Sequence, residues 1–138
     1  MGKGLKLEAL EVGALPIVRT LLDRLGWRRL LEGAFDPPDR RLRLSHVDTA
    51  WLLVCNFALS RHPLYGVPEW SSRFGARALG LAPEQLELLN DDRLGRTLDR
   101  LFAIDRRSLT TQLVIQMTRI YGVDLTRFHN DSTSITFS

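Results

Sequence analysis

A ten-residue apolar run, AWLLVCNFAL at positions 50–59, limits what this chain can fold into more than any other feature. It is about half the length a helix needs to cross a bilayer. It follows a helix-start signal: Ser45 stands three positions before Asp48, resembling a capping box with Asp in place of the usual Glu. HPLYGVPEW then breaks the pattern with Pro63, Gly66 and Pro68. The run therefore predicts a central, buried helix, and the rest of the chain has to cover it.

The remaining segments supply helices for that purpose. GALPIVRTLLDRLG sets Leu15, Val18, Leu21, Leu22 and Leu25 on one stripe, with Pro16 tolerated early and Gly26 as a stop. WRRLLEGAF continues as a shorter turn, and DPPDRRLRL marks an exposed loop. A short helix is expected from Pro68 to Phe74 and another at APEQLELL, since proline suits a first turn. Asn90 caps NDDRLGRTLDRLF, whose Asp91 and Asp92 complement the helix dipole. Asp105 caps the last helix, DRRSLTTQLVIQMTRIYG, which Gly122 ends. The fold class expected is all-α, a bundle of about six helices over residues 1–123.

After Gly122 the helix formers disappear. LTRFHNDSTSITFS reads as one strand, with no second strand to pair with it, so residues 124–138 are expected to belong to a sheet completed elsewhere or by a second copy. Alternation places Asp131 on one face with His129 and Thr133. Taken from the pattern alone, Asp131 is either a solvated acid on a surface or edge strand, or a functional carboxylate.

Composition narrows the function classes. The single cysteine, Cys55, has no partner and no metal-ligand spacing, which suits a reduced core thiol and a cytoplasmic location. There is no secretory signal, no phosphate loop and no nucleophile elbow, and His46, His62 and His129 lack metal-like spacing. Trp27, Trp51, Trp70 and Phe74 are read as core packing rather than base-stacking platforms. The net charge is +3, and arginine far outnumbers lysine. Arg93, Arg96 and Arg100 recur at helical spacing, away from an apolar stripe of Leu94, Leu98, Leu101 and Phe102; Arg40, Arg41 and Arg43 cluster in the proline loop; Arg106 and Arg107 open the last helix. These are either a solvated face paired with Asp92, Asp99 and Asp105 or contacts to DNA phosphates.

LNDDRLGRTLDRLFAID, followed by a helix and then DLTRFHNDSTSITFS, resembles the N-terminal half of a family of bacterial insertion-sequence transposases of the DDE type. GALPIVRTLLDRLG and RLSHVDTAWLLVCNFALSRHPLYGVPEW fit the same family in the same order. The resemblance implies a helical region ahead of a ribonuclease H-like catalytic domain, with residues 124–138 as that domain's first strand. It implies that Asp131 is the first acid of the catalytic triad and a ligand of Mg2+ or Mn2+. It turns the arginines toward DNA, namely the terminal inverted repeats of the element, with dimerisation as a second role. The other two acids have no counterpart here, so these residues by themselves are expected neither to cleave DNA nor to bind the metals tightly. A non-enzymatic DNA-binding or interaction module, competing with an intact copy, is the alternative. No membrane association is expected.

Overall fold

The computed structural model describes residues 9–35 and 41–127. They form seven α-helices: α1 (Leu15–Arg24), α2 (Trp27–Ala34), α3 (His46–Leu59), α4 (Val67–Ser72), α5 (Pro83–Leu86), α6 (Asp91–Ala103) and α7 (Arg106–Tyr121), with a single 3₁₀ turn at Leu64–Gly66. No strand occurs among the described residues. The all-helical expectation holds.

Local signals set most of the helix ends. The Asn90 side chain accepts the Arg93 N–H at 2.9 Å, and Asp105 accepts the Ser108 N–H at 3.0 Å. Gly26 (φ 65°) and Gly122 (φ 59°) take the left-handed conformation at which α1 and α7 give way, where a Cβ would be strained. Ser45 caps α3 as expected, accepting the Asp48 N–H at 3.0 Å. The Asp48 carboxylate, however, takes the Ser45 hydroxyl at 2.7 Å and the Arg28 guanidinium at 2.8 Å. The acid of the expected capping box therefore ties α3 to α2.

Helix α3 is the hub. It packs against α1, α2, α4 and α6. Its Trp51, Leu52 and Cys55 meet Leu15 of α1, Trp70 of α4 and Leu94 of α6 in the main core. A smaller cluster of Leu31, Phe35, Val47 and Ala50 forms where α2 crosses α3, and Leu101, Ile104 and Leu109 lean on it. Trp51 and Trp70 fill the core and satisfy their N–H groups within it. Trp51 Nε1 donates to the Leu79 carbonyl and Trp70 Nε1 to Ser60 Oγ, both at 2.8 Å. The Asn56 amide makes two bonds to the His62 backbone and clamps the chain where it leaves α3.

Three expectations change on packing. On α6 the buried face runs through Leu94, Thr97 and half-buried Leu101, while Phe102 is 70% exposed. Thr97 can be buried because its hydroxyl donates to the Arg93 carbonyl at 3.0 Å and meets His46 Nδ1 at 2.8 Å. On α1, Leu21 is 44% exposed, because α2 and α3 cover only the Leu15, Leu22 and Leu25 side. At the C-terminal end, Leu125 and Thr126 form a turn rather than the start of the expected strand, with the Thr126 N–H donating to Asp124 Oδ1 at 2.9 Å. The rest of that strand, with His129 and Asp131, lies outside the described residues, as does Arg40.

Candidate nucleic-acid interface

The segment between α2 and α3 approaches α6 because Leu44 is fully buried in the main core. Gln85 of α5 steadies it, donating from Nε2 to the Arg43 carbonyl at 3.1 Å while its Oε1 accepts the Ala82 N–H at 2.9 Å. This holds Arg41 and Arg43 beside the first turn of α6. Together with Arg93 they edge a concavity of about 280 Å3, with Leu44, Leu88 and Asn90 among its lining residues. One arginine of α6 and two of the proline loop, some fifty positions apart in sequence, are thus brought to one place.

The charge in this concavity is not uniform. Asp92 also lines it, but its carboxylate is taken by Arg96 Nε at 3.0 Å. Arg43 and Arg93 line it with no ion-pair partner among the described residues, so positive charge remains beside the one paired acid. The N-terminus of α6 is not itself an attractive anion site, since Asp91 and Asp92 occupy its first turn. Phosphate contact at this end of the fold falls to the arginine side chains.

The other arginines singled out in the sequence lie apart from this group. Arg96 is exposed on its pair with Asp92. Arg100 turns inward and donates from Nη2 to the Phe35 carbonyl at 2.9 Å, closing the end of α2. Arg106 stacks over the Phe102 ring, 4.6 Å from its centroid, and Arg107 is exposed at the start of α7. The face expected to carry Arg93, Arg96 and Arg100 together is therefore divided among three surroundings.

A second polar groove went unread in the sequence. It holds about 270 Å3 and is lined by Arg19, Asp23, Trp27, Arg28, Asp48 and Trp51 among others. The Arg28–Asp48 ion pair sits in it at 2.8 Å, with Asp48 nearly buried. Trp27 Nε1 is the one buried side-chain polar atom without a partner among the described residues. The sequence signal at Asp48 pointed to a cap, and those at Trp27 and Trp51 to core packing. No group of three or more His, Cys, Asp or Glu residues among those described could hold a metal ion. No described helix is long and apolar enough to cross a membrane.

The fold and surface define a helical domain organised on one buried helix, with a basic concavity at the junction of the α2–α3 segment and α6. A family model described as a domain of unknown function (DUF4277) matches residues 7–115, which takes in α1 to α6 and the first turns of α7. The chain belongs to that family. No curated protein and no solved structure matches it.

Proposed function

We propose that this chain is the helical N-terminal part of a DDE insertion-sequence transposase, that its basic concavity contacts the DNA of the element's ends, and that Asp131 is the first catalytic acid of the complete enzyme. The convergence of Arg41, Arg43 and Arg93 around one concavity carries the DNA reading. Residue-level likeness through NDDRLGR and HNDSTS supports the transposase reading. Asp131 lies outside the described residues, and no described donor set suits a divalent cation, so no chemical step is derived through a metal here.

The DNA reading is tested by anisotropy titrations of a labelled duplex carrying the terminal repeat, over a range of salt concentrations. Arg43→Ala and Arg93→Ala should each weaken binding and flatten the salt dependence by about one ion. Unchanged slopes in both variants, with unchanged thermal melts, would return these arginines to a solvated surface. The catalytic reading needs a protein that joins this segment to a ribonuclease H-like domain. There Asp131→Asn should abolish cleavage of element DNA and leave DNA binding and folding nearly intact, because the change is isosteric and removes only the charge. Cleavage at the wild-type rate would remove Asp131 from the catalytic role.

A second reading, an interaction module without chemistry, is favoured by α7, which buries none of its residues and exposes several large apolar ones.

A further inference from the structure

Helix α7 docks on α2 along one side, where Leu109 leans on the smaller core cluster and Leu113 is half-buried. Its neighbouring side carries Arg107, Thr110, Val114, Met117 and Tyr121, followed by Asp124 just beyond the helix. Steps of three and four residues, repeated, place such positions along one seam of a two-helix coil. Val114 is 42%, Met117 40% and Tyr121 38% exposed, and Arg107, Thr110 and Asp124 are exposed as well. Single exposed apolar residues are ordinary, but a spaced series along sixteen helical residues is not.

We propose that this face packs against the same face of a second copy of the chain, with the two α7 helices antiparallel. Centring the pair between Val114 and Met117 sets Val114 against the partner's Met117 and Thr110 against the partner's Tyr121. The same register brings Arg107 to the C-terminal end of the partner helix, where Asp124 follows two residues beyond Gly122. An isologous contact requires one patch to contain both halves of each interaction, and this patch does. Arg107 has no ion-pair partner among the described residues. Asp124 is held charged at neutral pH, because the Thr126 backbone N–H keeps its carboxyl below the usual carboxylate range.

The helix dipole points the same way. Arg106 and Arg107 stand in the first turn of α7 behind the Asp105 cap, where the helix's own dipole disfavours cations. Antiparallel pairing places them at the C-terminal end of the partner helix, where cations are favoured. Parallel pairing would set Arg107 on Arg107 and Asp124 on Asp124, with repulsion at both ends. Sixteen residues span only about 24 Å. Exposed Ile17 and Leu21 of α1 extend the apolar area where the Tyr121 hydroxyl donates to the Leu21 carbonyl at 3.0 Å. A seam of this size suits a reversible dimer rather than an obligate one.

Sedimentation equilibrium of the full chain over a wide concentration range tests the proposal. The wild type should show a reversible monomer–dimer equilibrium that weakens with salt. Val114→Asp should leave it monomeric with unchanged helical circular dichroism. Arg107→Asp sets acid against acid at both ends and should weaken dimerisation by about tenfold or more. Adding Asp124→Arg to that variant should restore it. A wild type that stays monomeric throughout, a Val114→Asp chain that still dimerises, or a charge reversal that Asp124→Arg fails to rescue would each overturn the proposal. The first outcome would assign the face to a different protein, and the other two would place the dimer contact elsewhere.

Discussion

Arg96→Ala and Arg100→Ala remove the same charge from adjacent turns of α6, yet they should differ in stability. The Arg96–Asp92 pair spans one helical turn, and its side chains are 69% and 71% exposed. Such a pair contributes about 0.3–0.5 kcal/mol. Arg100 instead donates to the Phe35 carbonyl at 2.9 Å from a half-buried position at the end of α2. A charge-assisted hydrogen bond contributes about 1.5–3 kcal/mol, and partial solvent access puts this one at the lower end. A cation at a helix C-terminus adds roughly 0.3–1 kcal/mol. The loss on Arg100→Ala is then about 2 kcal/mol, which for a chain of this size lowers Tm by roughly 6–8 °C. Arg96→Ala should shift it by no more than about 1–2 °C. Melts followed by circular dichroism decide the matter, with urea titrations as a check on cooperativity. Arg100→Lys keeps the charge but loses the planar fork, and should fall between the two. If Arg100→Ala and Arg96→Ala melt together, the Phe35 contact contributes nothing to stability.

Two further outcomes follow from the core. Burial pushes the Cys55 thiol up to about 12, against a smaller opposing pull from Arg19, so it should resist thiol reagents at pH 8 in the native state and react on unfolding. Because the unfolded thiol ionises near pH 9 while the folded one keeps its proton, stability should decline between about pH 9 and about 12, by up to about 1.4 kcal/mol per pH unit; a flat alkaline profile would count against this. Leu94 is fully buried where α6 meets α3, and Leu94→Ala should cost about 3–5 kcal/mol in urea unfolding; a loss below about 1 kcal/mol would mean that α6 is not part of the cooperative core.

Helix boundaries were legible in the sequence because their physics is local. Ser45, Asn90 and Asp105 cap donors three residues away, and Gly122 relieves a strain within its own residue. The central helix was legible for a related reason, since a ten-residue run with only Asn56 polar has to bury most of its length whatever surrounds it. The candidate site was legible only in part. The arginine clusters could be counted, but their grouping depends on which helix faces which. Arg41 and Arg43 reach Arg93 because Leu44 is drawn into the core; Arg100 leaves the group because the end of α2 lies within its reach. Asp48 has the sequence spacing of a cap residue and acts as a tie to α2, a partnership twenty residues apart that no periodicity records. The amphipathic pattern of α6 pointed to Leu94, Leu98, Leu101 and Phe102; packing buries Leu94, half-buries Leu101, exposes the other two and buries Thr97, because a hydroxyl with two partners fits the close approach to α3. Sequence alone determined where most of the helices begin and end, to within a few residues for α4 and α5, and which one lies inside. Only the tertiary structure decided which charged side chains meet, because chain positions distant in sequence become neighbours only after the helices have packed.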